Sequence, residues 1–276
     1  IPSHAFYGCT GFIGHLNLSS ISIIGDSAFN KCERFNTTLN IPYTVTSIGD
    51  SAFANCFGFT NLVFNASICT INNSLFESCS GFSNNLFIPQ YVSKIGNYAF
   101  YRCNGFCGTL VIGENISEVG YFSFYHCSGF SGSFTIQETV KSIGESSFSF
   151  ATGFDGDLII NADVSTIDST MFSESGFKGS LTIGNYVTEI GSRAFELISS
   201  LKGNLTIGSN VQKIGSMAFY GTEFTGSLVI PDKVTIIESH AFMNSKFDTI
   251  KIMSNNLNVS QKAFHGMSSL TTVTYC

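Results

Sequence analysis

The sequence contains no Trp, and only 12% of its residues are charged against 43% that are hydrophobic. A chain so poor in charge and so rich in apolar side chains buries a core, which excludes disorder. It has no basic run: 13 Lys and Arg stand against 19 Asp and Glu, a formal net charge of -6. Without a cationic stripe, no groove for nucleic acid and no patch for an anionic membrane surface is expected. Long apolar runs are missing too. No stretch approaches the roughly 18 to 20 apolar residues of a spanning helix, so no membrane span is expected. The start, Ile1-Pro2-Ser3-His4, lacks an initiating Met and a signal peptide, and reads as an excised piece of something longer. The patterns G-x-S-x-G, G-x-x-x-x-G-K and G-x-G-x-x-G do not occur, which leaves no nucleophile elbow and no phosphate cradle. Neither an enzymatic function nor a cofactor is expected.

What the sequence has in excess is Phe, 28 in 276 residues. On the motif Ile-Gly-x-x-Ala-Phe, anchor phenylalanines fall at Phe6, Phe29, Phe53, Phe76, Phe100, Phe124, Phe148, Phe172, Phe195, Phe219, Phe242 and Phe264, spaced 22 to 24 residues apart. A second aromatic follows five or six residues later, as at Phe35, Phe59, Phe106 and Phe177, with Leu201 and Leu270 standing in twice. Twelve copies of one unit therefore fill residues 1–276, leaving no linker or second domain to assign. Each unit holds a short alternating segment such as Leu110-Val111-Ile112 or Leu181-Thr182-Ile183, which reads as a strand with its first and third residues inward. A V-x-x-I-G step follows. Then comes Gly-x-x-Ala-Phe-x-x-Cys, whose small and apolar positions at i, i+3 and i+4 suit about one helical or 3₁₀ turn. No unit this small buries its own apolar face. Stacked coils do, with strands of successive coils about 4.8 Å apart in a parallel ladder. The expectation is an α/β repeat solenoid with one parallel sheet and short helical or irregular turns. It should be right-handed, as β-crossover-β connections nearly always are.

The pattern L-x-I-x-x-x-V-x-x-I-G-x-x-A-F-x-x-C, nearly whole in Leu86 to Cys103 and Leu110 to Cys127, resembles the BspA-like class of leucine-rich repeats. The likeness covers all twelve units, although the last is eroded, with Val259-Ser260 in place of Ile-Gly and Met267 in place of Cys. The resemblance implies a curved leucine-rich-repeat solenoid with its sheet on the concave side. It also implies a surface protein of a bacterium or protozoan that adheres to host cells or extracellular matrix proteins. A structural surface antigen or spacer without a dedicated ligand is the alternative.

Six of the nine cysteines share one ladder position: Cys9, Cys32, Cys56, Cys79, Cys103 and Cys127. Later units carry Ala151, Ser175, Ile198, Thr222, Ser245 and Met267 there, exchanges that a packing position accepts and a metal ligand does not. At least four of the six are expected to be buried free thiols, because side chains on equivalent rungs point the same way and disfavour the disulfide torsion. The spacing Cys103-x3-Cys107 is a weak metal or redox signal, and Asp155-Gly156-Asp157 reads as a solvated turn rather than a calcium loop. The histidines, His4, His15, His126, His240 and His265, belong to different coils and repeat phases and build no ligand pair. The glycines recur in register and are assigned to bends. Sequons at Asn17, Asn36, Asn65, Asn72, Asn115, Asn204 and Asn258 are compatible with secretion, but exceed chance only slightly at this Asn, Ser and Thr content.

The middle residue of each L-x-I segment faces out of the ladder. Along the chain this position is oily at Val63, Phe87, Val111 and Ile159, interrupted by Thr135 and bordered by Asn61, Asn85, Thr109, Ser133 and Asp157. An exposed apolar stripe with a polar rim is the candidate site for a protein partner, with Phe87 its anchor. Strand propensity alone accounts for Val and Ile at such positions, and explains Phe87 least well. A second outward set, Tyr7, Tyr101, Arg102, Tyr125, His126, Phe150 and Tyr220, reads as side chains lying over the coil edge.

Overall fold

Alternating L-x-I segments leave one apolar residue on each side of a residue that faces solvent, and such segments pair with their copies in the next coil. In the computed structural model, which describes residues 1–276, the chain divides into two compact units, Ile1–Ser131 and Gly132–Cys276. In the first unit Thr38–Ile41 pairs in parallel with Asn61–Phe64, and Leu86–Phe87 with Leu110–Val111. In the second, Phe134–Ile136, Leu158–Ile160, Leu181–Ile183 and Leu205–Thr206 form one parallel run, and Ser227–Ile230, Thr249–Ile252 and Thr272–Tyr275 another.

A second row of two-residue strands departs from the expectation of one parallel sheet. The Ile or Val of each Ile-Gly step and the polar residue just before it pair with their copies in a ladder of their own. It links Thr70–Ile71, Lys94–Ile95 and Glu118–Val119 in the first unit, and runs from Thr166–Ile167 to Asn258–Val259 in the second. Its outward residues meet across the rungs. Lys94 faces Glu118 at 2.6 Å, and Lys213 lies between Glu189 at 2.9 Å and Glu238 at 3.2 Å. Exposed pairs of this kind contribute about 0–1 kcal/mol each and chiefly match neighbouring coils.

The helical turns expected around the anchor phenylalanines are absent, and the chain contains no helix. The residues two before and two after the anchor adopt left-handed backbone: Tyr98 and Arg102, both at φ 57°, flank Phe100, and Thr170 and Glu174, both at 55°, flank Phe172. A right-handed helical turn cannot run through them. The N–H groups alternate instead. Those of Tyr98, Phe100 and Arg102 are donated to carbonyls of the next coil at 2.8–2.9 Å, and those of Tyr101 and Cys103 close turns within their own coil. Left-handed backbone costs roughly 1–2 kcal/mol per non-glycine residue. The bonds between coils offset this cost, which an isolated segment could not do. The spacing i, i+3, i+4 thus misled because it describes a series of tight turns as well as it describes a helix.

Some glycines serve bends, as Gly8 and Gly221 do at φ 70°, and others serve close approach. A Cβ on Gly105 would lie 2.0 Å from the Ser80 carbonyl oxygen of the preceding coil, and Gly58, Gly81, Gly129 and Gly176 stand in equivalent contacts ahead of their phenylalanines. Only Gly lets the backbones of successive coils approach this closely.

The core of each unit is a double stack of rings. Anchor phenylalanines stack on the next coil, Phe100 on Phe124 at 5.3 Å between centroids and Phe172 on Phe195 at 5.4 Å. The second ladder does likewise, Phe35 on Phe59 at 4.8 Å, and the two ladders meet edge to face, as at Phe100 and Phe106. Polar side chains make a ladder as well. Asp26 Oδ1 accepts the N–H of Asp50, Asp50 Oδ1 that of Asn73, Asn73 Oδ1 that of Asn97, and Asn97 Oδ1 that of Tyr121, all at 2.9–3.1 Å.

Candidate protein-binding face

The outward position of the L-x-I ladder sets the candidate residues in two groups. In the first unit Val63 is 40% exposed, Phe87 58% and Val111 45%. Phe87 and Val111 are register partners, and Val63 and Phe87 line a common cleft of about 350 Å³. No loop covers Phe87, while its neighbours Leu86 and Ile88 are buried. In the second unit Thr135 and Ile159 are also register partners, but both are half-buried, so the oily surface anticipated there is smaller than alternation suggested.

Part of the second outward set packs on itself. Tyr101 stacks on Tyr125 at 5.2 Å, Tyr98 on Phe122 at 5.3 Å, and edge contacts at 5.6 Å join the two pairs. Arg102 lies over Tyr101, 5.2 Å from the ring centroid. Tyr98 and Phe122 join this cluster from the left-handed position two residues ahead of the anchor, a position that the repeat motif does not mark as outward.

The ladder thiols are packed and hydrogen-bonded. Cys32, Cys56, Cys79, Cys103 and Cys127 are buried, and Cys9 is partly exposed. Each buried thiol donates to the anchor carbonyl one coil back: Cys56 to Phe29 at 3.0 Å, Cys79 to Phe53 at 3.0 Å, Cys103 to Phe76 at 2.9 Å and Cys127 to Phe100 at 3.0 Å. Burial pushes the Cys32 thiol up to about 11 and Cys79 to about 12, and raises Cys56, Cys103 and Cys127 strongly. Such thiols are poor nucleophiles. Cys103 and Cys107 diverge, since the exposed Cys107 donates to the Ser83 carbonyl at 2.6 Å.

The remaining sequence signals resolve into coil contacts. Asp155 Oδ1 accepts the N–H of Gly132 and Asp157 Oδ1 that of Ser180, both at 2.7 Å, so this acidic pair caps backbone. Among the sequons, the amides of Asn72 and Asn115 are committed to the carbonyls of Ile48 and Gln90. Nowhere do three His, Cys, Asp or Glu side chains gather as a metal ligand set. No helix is long and apolar enough to cross a membrane.

Coils of about two dozen residues, a parallel ladder repeated on each and an apolar spine of fixed side chains define a parallel β-solenoid of the leucine-rich-repeat type, with about 11 turns. The BspA type leucine rich repeat region matches the chain in six copies, over residues 1–130, 83–202 and 165–276, and the chain belongs to that family. None of the curated proteins matches it significantly. Among solved structures it is similar to a leucine-rich repeat protein from Bacteroides ovatus, with 20% identity and a TM-score of 0.66, over 95% of this chain and 65% of that one. This chain therefore spans a little less than two thirds of that relative's length, and at such identity the likeness speaks to the fold. A leucine rich cell surface protein from Faecalibacterium prausnitzii is also similar, with 19% identity and a TM-score of 0.45, over 95% of this chain and 87% of that one. So is the pneumococcal vaccine antigen PcpA, with 17% identity and a TM-score of 0.45, over 99% of this chain and 76% of that one.

Proposed function

We propose that this chain is a non-enzymatic recognition module displayed at a cell surface, which adheres to protein partners on host cells or in extracellular matrix. Residues 1–276 are read as a single leucine-rich-repeat solenoid because the phenylalanine period runs unbroken from Phe6 to Phe264. Membership of the BspA type supports surface display. The observation that carries the binding reading is Phe87, a large aromatic side chain 58% exposed on a strand whose neighbours are buried. Such residues contribute most of the affinity where a partner desolvates them. Val63 and Val111 extend that surface in the first unit, and Thr135 with Ile159 marks the equivalent positions in the second.

The test is binding of purified chain to immobilised matrix proteins and to epithelial cells. Phe87→Ala is expected to weaken binding by more than about 1 kcal/mol at unchanged stability. Replacing the inward neighbour, Ile88→Ala, is expected to cost about 2–5 kcal/mol of stability through a cavity. A chain that binds none of these surfaces is a structural antigen or spacer. A chain that binds equally well without the Phe87 ring has its binding surface elsewhere.

A further inference from the structure

The outward ladder of the first unit is interrupted where the candidate anchor sits. Asn61–Phe64 pairs with the strand before it and Leu86–Phe87 with the strand after it, but no rung joins the two. Peptide groups along a parallel strand point alternately to its two neighbours. The N–H of Asn65 is donated back to Ile41 at 2.9 Å, so Leu62 and Phe64 face forward. Those of Leu86 and Ile88 are donated forward to Thr109 and Val111 at 3.1 and 2.8 Å, so Phe87 faces back. Phe64 and Phe87 therefore turn their peptide groups toward each other, and no hydrogen bond spans the space between them.

The two coils also differ in length at this point. Leu62 stands three residues after Phe59, whereas Leu86 stands four after Phe82. The extra residue puts Asn84 opposite Leu62, and its side chain replaces one missing rung: Oδ1 accepts the Leu62 N–H at 3.2 Å and Nδ2 donates to the Leu62 carbonyl at 3.1 Å. The next rung stays open. The resulting cleft of about 350 Å³ is walled by Val63 and Phe87, with Asn65, Asn84, Asn85 and Pro89 on its margin and no charged side chain in its lining.

The geometry points to an extended, uncharged polypeptide segment of a partner protein as the occupant. Its backbone would pair with the open peptide groups of Phe64 and Phe87, and an apolar side chain would lie against Val63 and Phe87. This inference rests on the docking reading above and names its chemistry. Open peptide groups on a strand edge are satisfied by another extended backbone, and flanking apolar pockets select alternate side chains. A helical segment has no free backbone groups to offer in its interior. A charged segment would lose hydration to a cleft without a counter-charge. The interruption between Leu205–Thr206 and Ser227–Ile230 in the second unit has only one apolar wall, since its outward residues are Thr206 and Val229, and no side-chain bond replaces a rung.

The experiment is selection of a phage-displayed random heptapeptide library on the full chain, followed by anisotropy measurements on synthetic copies of the selected peptides. Peptides with alternate apolar residues are expected, weakened about tenfold or more by Phe87→Ala. N-methylation of one alternate set of peptide amides is expected to lower affinity about tenfold, with the intervening set nearly without effect. Deuterium exchange on the unsubstituted chain gives a readout independent of any variant: the Phe64 and Phe87 amides should exchange faster than those of Leu86 and Ile88, and slow when peptide is bound. Failure to select peptides above the Phe87→Ala background, or indifference to both methylated sets, overturns the inference. If matrix or cell binding depends on Phe87 but selected peptides ignore N-methylation, the docking reading stands and the backbone mode falls. If backbone-dependent peptides bind while no cell or matrix protein does, the notch stands and adhesion falls.

Discussion

Raising the pH from 8 to 10 should unfold the first unit before the second, because the thiol ladder is confined to the first. Cys56, Cys79, Cys103 and Cys127 have no exposed surface, and burial raises their folded-state pKa values, that of Cys79 to about 12. An unfolded thiol ionises near 9. A group whose folded pKa lies above its unfolded one contributes stability that is whole below the unfolded value and is lost as pH climbs toward the folded value. At pH 10, one unit above the unfolded pKa, each thiol withdraws about 1.4 kcal/mol, so the four together withdraw about 5–6 kcal/mol. Cys32, raised to about 11, adds about 1.4 kcal/mol more at pH 10 before levelling off. That sum matches the whole stability of many small domains, about 5–15 kcal/mol. The second unit carries Ala151, Ser175, Ile198, Thr222, Ser245 and Met267 at the same position and has no ladder thiol to ionise. Urea titrations followed by far-ultraviolet circular dichroism at pH 8, 9 and 10 give the stabilities, and hydrogen exchange resolved by peptide assigns each loss to residues 1–131 or 132–276. Replacing the four thiols by Ala, the residue found at Ala151, should flatten the dependence. Parallel loss in both units, an unchanged first unit at pH 10, or rapid alkylation of the four thiols in native protein at pH 8 would each refute the reasoning.

Two further outcomes follow from coil contacts. Gly105→Ala places a methyl group 2.0 Å from the Ser80 carbonyl oxygen, so the coils must part; the variant should lose more than about 2 kcal/mol in urea titration, well beyond the roughly 1 kcal/mol by which Ala ordinarily differs from Gly. Lys213→Gln, by contrast, removes a cation between Glu189 and Glu238 on an exposed rung and should cost less than about 1 kcal/mol, with a loss that shrinks further in 0.5 M salt when thermal unfolding is compared.

The phenylalanine period carries the coil length and the stacking, because a side chain repeated every 22 to 24 residues has one place to go when no coil can bury itself, and the L-x-I alternation carries the inward faces of Leu86 and Ile88. Alternation about Phe87 likewise placed its ring outside. Three things lay beyond the reach of sequence. The left-handed residues at Tyr98 and Arg102 are not glycines, and only hydrogen bonds to the following coil make that backbone favourable, so a local reading saw a helical turn. The cysteine ladder was legible as packing, but its donation to the phenylalanine carbonyls depends on how far one coil is displaced from the next. The open rung beside Phe87 is not legible in the coil lengths, since the same one-residue difference between the coils of Leu39 and Leu62 leaves those strands paired; it is settled where the coils meet, with Asn84 bonding Leu62 in place of a rung.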